Sequence, residues 1–357
     1  MESKNLKDKI SEISINSSES IVFALKLMDN LYKKMLLVFD EELFIGVLSI
    51  GDIQRAILKN ISLEEPIKNI LRENISFVFE NEPIAKVKDF MLTNRIEAMP
   101  VLNTNKELIS VYFWEDLFDN KEQINKEILN LPIVIMAGGK GTRLQPLTNV
   151  IPKPLIPIGE KTIIEEIMDK FVAVGAHEFY ISVNYKADTI KHYFDSLGNT
   201  EYKIEYFQED KPLGTAGSMY LIKNKIKSTF FVSNCDILID QDLYEVYKYH
   251  KENNNTITVV SALKHYPIPY GTISTSTGGI LEQLHEKPTL NFQINTGVYI
   301  LEPEVLNLIP ENEFFHITDL IEIIKDKKEL KVGVFPISEG SWIDIGEWKE
   351  YMKFINL

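Results

Sequence analysis

Apolar and polar positions follow two different rhythms along this chain. Over the first 120 residues or so, apolar bursts are short. "IVFALKLM" (21–28) has apolar spacing near 3.6, which predicts a helix, while "MLLVF" and "FIGVLSI" are strand-like runs joined by the charged turn "DEEL". The order helix, strand, turn, strand, helix then recurs. "ALKLMDNLYKKMLLVFDEELFIGVLSIGDI" (24–53) lays over "KVKDFMLTNRIEAMPVLNTNKELISVYFWEDL" (86–117). Met28 falls on Met91, Met35 on Met99 and Asp52 on Asp116, an offset of 63 to 64 with one inserted residue. Two such β-α-β-type units should pack against each other, because neither buries a full core alone.

"FDNKEQINKEILN" (118–130) is polar, lacks a clear apolar face and reads as a linker or a short exposed helix. The expected division is a repeat pair over 1–122, a linker over 123–131 and a second domain over 132–357. In that second part strands and helices alternate, which predicts an α/β class. "IVIMA" (133–137) is an apolar strand of the type buried in a parallel sheet, and "TFFVSNCDILI" (229–239) is another, delivering Asp236 at its end.

Composition narrows the function classes. A chain of 357 residues with 45% hydrophobic and 25% charged residues has ample material for two or three soluble domains. Its net charge of −14 argues against a general nucleic-acid binder, which needs clustered Lys and Arg, but leaves room for a small phosphorylated ligand held by a few local cations. "MESKNLKDKI" lacks the apolar core of a signal peptide, and no run of apolar residues is long enough to span a bilayer. The expected compartment is the cytoplasm, with no membrane partner. The single cysteine, Cys235, excludes an internal disulfide and a cysteine-built zinc site.

A glycine-rich turn follows the strand "IVIMA". Such a turn lets backbone N–H groups face phosphate oxygens, because no Cβ blocks their approach. The P-loop pattern is absent, and the dinucleotide fingerprint fails because Leu144 stands where a third glycine is required. That absence also disfavours a dehydrogenase. The ungapped run "GGKGTRLQPLTNVIPKP" instead resembles the signature of sugar-1-phosphate nucleotidyltransferases, and the resemblance extends over about residues 131 to 355. It implies a Rossmann-like domain with a mixed sheet, and a reaction in which a sugar 1-phosphate attacks the α-phosphorus of an NTP and pyrophosphate leaves. Ala137, Gly138, Gly139, Gly141 and Thr142 would cradle the nucleotide. Arg143, with its planar fork of donors, would hold the departing phosphates, and Lys153 of "PKP" would reach the attacking phosphate and the α-phosphate.

Further segments match the same family. Asp236 and Asp344 (of "GSWIDIGEW") stand at the family's metal-binding positions, and two approaching anions imply Mg²⁺ as the cofactor. Cys235 has no adjacent His and reads as small-residue packing rather than a nucleophile. "YFQEDKPLGTAGSMYLI" (206–222) looks like the base-recognition loop leading into a helix, with Gly214 and Thr215 leaving room for a flat base. Glu209 stands where family members that take thymidine or uridine nucleotides often carry Gln. A carboxylate is an acceptor-only match for the adjacent N1–H and N2–H₂ donors of guanine, so Glu209 leans toward GTP. On the acceptor side, "PYGTI", "LHEKP" and "NTGVYIL" resemble sugar-phosphate-binding segments, offering Gly271, Glu286, Lys287 and Asn295, with Asn184 of "SVNYKAD" beside them.

The doubled N-terminal unit resembles a tandem CBS (Bateman) module. In that family a Ser or Thr three residues before an Asp contacts the phosphate and ribose of an adenine nucleotide, and Ser49 and Asp52 of "GVLSIGD" match. In the second copy Asp116 remains, but Phe113 replaces the hydroxyl. The module serves either as a nucleotide sensor or purely for packing and dimerisation, and a homodimer is the expected assembly. A CBS pair followed by a nucleotidyltransferase resembles a bacterial subgroup tied to nonulosonic (legionaminic) acid and surface-glycan synthesis, which implies GTP plus glucosamine 1-phosphate giving GDP-glucosamine. Mannose- or heptose-1-phosphate guanylyl transfer, or UTP or dTTP with glucose 1-phosphate, shares the same motifs. A different class, a nucleotide-sensing regulator with an inactive transferase domain, is disfavoured by the presence of Arg143, Lys153, Asp236 and Asp344.

Overall fold

The computed structural model describes residues 10–72, 75–94, 96, 98–117 and 128–355. The chain divides into two compact units, Met1–Lys126 and Glu127–Leu357. Among the described residues no helix is long and apolar enough to cross a membrane.

The repeat is visible in the first unit. Strands β1 (Ser14–Asn16), β2 (Met35–Asp40) and β3 (Leu43–Ser49) form one three-stranded sheet, and β4 (Val78–Phe79), β5 (Ala98–Leu102) and β6 (Leu108–Phe113) form another. In both, the first pair is parallel and the second antiparallel. The expected helix at "IVFALKLM" runs Ile21–Leu31, with the Ser20 hydroxyl accepting from Phe23 N–H as its cap. Ile84–Asn94 is its counterpart. Met28, Met91, Met35 and Met99, paired by the sequence offset, are all buried.

The two copies differ where the second helix starts. Ser49 and Asp52 form a reciprocal capping box at the head of Ile50–Leu58. The equivalent helix, Trp114–Leu117, follows Phe113, which has no hydroxyl to cap with. The Asp116 side chain lies outside those described. Asp52 itself is buried, accepting from Ser49 N (2.8 Å), Ser49 Oγ (2.5 Å) and Arg72 Nε (2.7 Å), and pairing with Arg55. Burial alone would raise its pKa, but the hydrogen bonds from Ser49 and Arg72 prevail and hold it below the ordinary carboxylate value.

The second unit is built on a seven-stranded mixed sheet. Its strands are β7 (Ile133–Met136), β10 (Glu178–Val183), β11 (Lys203–Gln208), β12 (Phe230–Asn234), β14 (Ile257–Pro267), β17 (Thr289–Leu301) and β18 (Val332–Ile337), in the order β11-β10-β7-β12-β17-β14-β18. All pairings are parallel except those of β17, which is antiparallel to both neighbours. Three small hairpins or ribbons complete it: β8 (Pro157–Ile158) with β9 (Lys161–Thr162), β13 (Ile237–Ile239) with β19 (Trp342–Asp344), and β15 (Thr272–Thr275) with β16 (Leu281–His285).

The apolar run of β7 is explained by burial on both faces. Ile133 and Ile135 join the core beneath the helices Ile163–Val172, Ala187–Leu197 and Leu243–Glu252, while Val134 joins the core against Ile317–Lys325. From β7 the chain proceeds to β10 and β11 on one side and then to β12 on the other. The carboxyl ends of β7 and β12 therefore meet at a point where the strand order reverses, the usual crevice for ligands in such sheets.

Three expectations need adjusting. Residues 123–127 of the expected linker lie outside the described residues, but Leu129 is already part of the second core, its N–H donating to the Val174 carbonyl at 2.6 Å. "TFFVSNCDILI" is not one strand: it breaks between β12 and β13, and Cys235 and Asp236 occupy the break. The helix after the "KPLGTAG" loop is a short 3₁₀ segment, Gly217–Ile222.

Asp52→Asn is expected to destabilise the protein by about 1–3 kcal/mol at pH 7, through the loss of charge-assisted hydrogen bonds. Because the folded-state pKa of Asp52 lies below its ordinary value of 3.8, this stabilisation is present above that value and disappears as pH falls through the folded one. Denaturant titrations of the full chain at pH 7 and pH 3 test this. An equal gap between wild type and variant at both pH values would contradict it.

Candidate active site

The carboxyl end of β7 opens into the glycine-rich loop. Ala137 is buried and donates its N–H to the Ser182 carbonyl at 3.1 Å. Gly138 lies against the end of β10 and the loop after β11: a Cβ there would come within 3.0 Å of Glu209 Oε1 and 3.3 Å of Asn184 Cβ. Gly139 faces open space. Gly141 adopts φ +64°, and a Cβ would meet Lys153 Cβ and Thr148 Cγ2 at 2.9 Å each, so glycine is required for both conformation and space. Thr142 starts the 3₁₀ turn that carries Arg143.

Four sequence-predicted residues converge beside this loop. The antiparallel β13–β19 ribbon pairs Ile237 with Asp344, and Ile345 N–H donates to the Asp236 carbonyl at 2.9 Å, which brings the two aspartates to one place. Asp236 is buried, with Lys153 Nζ ion-paired to its Oδ2. Arg143 reaches over both acids, Nη2 lying 3.7 Å from Asp236 Oδ2 and Nη1 3.7 Å from Asp344 Oδ2. Gly346 forms the floor. A Cβ on it would stand 2.5 Å from Asp236 Oδ2, 2.7 Å from Asp344 Oδ1 and 2.9 Å from Arg143 Nη2. Burial raises the pKa of Asp344, and the neighbouring Asp236 charge raises it further, against the Gly346 N–H, Arg143 and Lys153. Cys235 is buried and its thiol is pushed up to about 12, chiefly by desolvation, which fits packing rather than nucleophilic chemistry.

Two repelling carboxylates around a space that a single methyl would fill are suited to a divalent cation. Among the described residues no group of three or more His, Cys, Asp or Glu side chains forms a metal cage. A donor set of two carboxylates fits a cation that completes its shell with phosphate oxygens and water.

A second cluster surrounds Glu209, which is buried rather than solvent-facing. Its Oε1 accepts from Ser182 Oγ at 2.7 Å and its Oε2 from Leu213 N–H at 2.9 Å, while its backbone carbonyl accepts from Asn184 Nδ2 at 2.9 Å. Gly214, at φ +81°, and Thr215 pack against residues 315–317, far along the chain: a Gly214 Cβ would strike the Phe315 carbonyl at 2.6 Å, and the Thr215 hydroxyl accepts from Ile317 N–H at 3.0 Å, at the head of helix Ile317–Lys325. Gly271 and Glu286 meet one another, a Gly271 Cβ lying 3.0 Å from Glu286 Oε2. Lys287, at φ 46°, is exposed beside them. Asn295 Oδ1 accepts from Gly297 N–H at 3.0 Å, and Gly297 abuts Asn234, two residues before Asp236. No hydrogen bond or ion pair among the described residues ties Gly271, Glu286 or Lys287 to the Asp236 cluster.

The nucleotidyl transferase family matches residues 133–357, and two CBS domains match residues 8–59 and 67–122. The chain belongs to the nucleotidyl transferase family. Similar proteins include the mannose-1-phosphate guanyltransferase of Kluyveromyces lactis, 33% identical over 230 residues, which cover 61% of this chain and 62% of that protein. The mannose-1-phosphate guanylyltransferase 1 of Arabidopsis thaliana is 33% identical over 233 residues, 63% of each. This chain therefore spans less than two thirds of the length of these relatives. A Bacillus anthracis protein solved in complex with sucrose shares the fold at a TM-score of 0.50 and 20% identity, covering 63% of this chain and 93% of that one.

A cavity of about 250 Å³ in the first unit is lined by residues of both CBS matches and the segment between them, with Asp52, Arg55, Lys59 and Arg72 as its charged lining and Ala56, Ile61, Ile70 and Leu71 as its apolar lining. Both Asp52 oxygens already accept hydrogen bonds there, Oδ2 from Ser49 and Oδ1 from Arg72.

Sequence reasoning missed Ser182, Glu347 and Trp348. Ser182 is the one small polar residue in the otherwise bulky run "FYISV", a signal that could have flagged it. Glu347 Oε1 accepts from Arg143 Nη1 at 3.0 Å, and Trp348 Nε1 donates to the Gln145 carbonyl at 3.0 Å. These contacts span about 200 residues and have no local pattern.

If the site carries out nucleotidyl transfer, Gly346→Ala is expected to lower kcat by about 10²-fold by displacing the two carboxylates and Arg143, with a modest fall in melting temperature because the buried Asp236 must shift. Asp344→Asn should lower kcat at least as far. Normal turnover in Gly346→Ala would remove this floor from the site.

Proposed function

We propose that this chain transfers a guanylyl group from GTP to a hexose 1-phosphate, releasing pyrophosphate. The observation that carries guanine is Glu209, whose carboxylate lies against Gly138 of the glycine-rich loop with one protein donor on each oxygen. Each oxygen retains a lone pair for a further donor, and guanine presents two side by side. The relatives named above as mannose-1-phosphate guanyltransferases favour the same base. Glucosamine 1-phosphate is the acceptor implied by the CBS–transferase arrangement, and mannose 1-phosphate is the one that the relatives' names favour.

In this reading an oxygen of the sugar phosphate forms a bond to the α-phosphorus as the bond between that phosphorus and the bridging oxygen to the β-phosphate breaks. Lys153 neutralises the incoming phosphate and the α-phosphate. Arg143 offers its fork to the β- and γ-phosphates and follows the charge onto the leaving pyrophosphate. Gly138, Gly139, Gly141 and Thr142 present backbone to the nucleotide, and Ala137, Gly214 and Thr215 flank the base. Asn184, Gly271, Glu286, Lys287 and Asn295 are assigned to the sugar phosphate. Asp236 and Asp344 would hold Mg²⁺, which would supply charge neutralisation at the triphosphate. The CBS cavity, lined by three cations and several apolar residues, suits a phosphate-bearing ligand, and an adenine nucleotide is the proposed occupant. We assign the homodimer expected from the CBS pair as the working assembly.

Pyrophosphate release with Mg²⁺, measured for GTP, UTP, dTTP, CTP and ATP against glucosamine, mannose and glucose 1-phosphates, tests the reading. A productive pair with GTP names the sugar, whereas turnover only with UTP or dTTP would sink the Glu209 assignment. Glu209→Gln can keep the Leu213 N–H on its amide oxygen and turn its NH₂ to Ser182 Oγ. It is therefore expected to fold normally yet lose roughly ten-fold or more of the GTP-over-UTP ratio in kcat/KM. Calorimetric titration of the full chain with AMP, ADP and ATP should show one binding event that Arg72→Gln weakens. No heat with any of the three would leave the CBS pair as a packing module.

A further inference from the structure

Of the two cations at the site, Lys153 is largely buried against Asp236, but Arg143 is 54% exposed and depends on its partners for direction. The contacts of Arg143 with Asp236 and Asp344 are both 3.7 Å, too long for hydrogen bonds. Its hydrogen bond goes to Glu347, from Nη1 to Oε1 at 3.0 Å. Glu347 follows the Gly346 floor directly, and the next residue, Trp348, clamps the same loop through Gln145. Glu347 therefore occupies a donor of the same guanidinium that is assigned to the phosphates.

We propose that Glu347 is a positioning residue that holds Arg143 when the site is empty, yields it to the triphosphate, and takes it back as pyrophosphate leaves. This rests on the reading of the site as a nucleotidyl-transfer centre. The consequence is competition. Glu347 and bound pyrophosphate share one guanidinium, so Glu347 weakens the hold on the leaving product and keeps Arg143 from collapsing further onto Asp236 and Asp344. The neutral amide of a glutamine competes poorly with a phosphate oxygen for a cation.

The test is the dissociation constant of pyrophosphate, with Mg²⁺ present, measured by calorimetry on the full chain. Glu347→Gln is expected to bind pyrophosphate two- to five-fold more tightly, roughly the size of an exposed ion pair, with a parallel fall in the inhibition constant of pyrophosphate against the NTP. Removing any negative charge near an anion site would strengthen binding somewhat, so the decisive step is a double-mutant cycle. In an Arg143→Gln background, Glu347→Gln should leave the constant unchanged. An equal constant in wild type and Glu347→Gln, weaker binding in the variant, or an effect that survives without Arg143 would each overturn the proposal. A wild-type chain that binds no pyrophosphate and turns over no NTP would instead strike the nucleotidyl-transfer reading itself, and the proposal with it. Glu347 is 58% exposed, so a loss of fold in the variant is not expected; melting curves check it.

Discussion

The site depends on one short antiparallel pairing, that of Ile237–Ile239 with Trp342–Asp344. Two carboxylates separated by 108 residues of chain repel one another, and burial, then the Asp236 charge, raise the pKa of Asp344. The ribbon holds them close nonetheless, through backbone hydrogen bonds that include Ile345 N–H to the Asp236 carbonyl. Gly346 then leaves open the space that a side chain would fill. Lys153 and Arg143 supply the compensating charge from the other side of the crevice. What results is a group of opposed charges held close together at the rim of the sheet.

The break between β12 and β13 follows from the same demand. An uninterrupted strand would carry Asp236 along the sheet. The interruption instead releases Cys235 into the core and turns Asp236 toward the glycine-rich loop. The register of β12 with β7 sets Asn234 opposite Met136, so the acid and the loop leave adjacent strands at the same level. The candidate site residues thus gather where strand order reverses, with an apolar core packed on either face of the sheet beneath them.

Glu209, the residue proposed to read the base, also has a role in the fold. Its carboxylate braces Ser182 and the Leu213 backbone, fixing the loop that precedes Gly214. A buried carboxylate needs such donors, and having them fixes its direction. In the first CBS domain Asp52 is used more completely, tied down by Ser49 and by arginines. The family resemblance suggested a free acid ready for a ribose. The structure shows that acid already hydrogen-bonded, lining a cavity together with Arg55, Lys59 and Arg72.

Much of this was legible in the linear sequence. The 63–64-residue offset located the repeat, because buried methionines recur when the same small unit is packed twice. The gapless run from Gly138 to Pro154 identified the loop, because phosphate-cradling backbone needs glycine at fixed places. Asp236 and Asp344 could be named from their segments alone. Their meeting was implied only by the family resemblance, and the Glu347–Arg143 and Ser182–Glu209 bonds could not be read at all. Sequence patterns report what a residue needs from its immediate neighbours: burial period, φ range, a cap. Which distant side chains share a charge or a hydrogen bond is set by strand order and register, and those exist only once the sheet has formed.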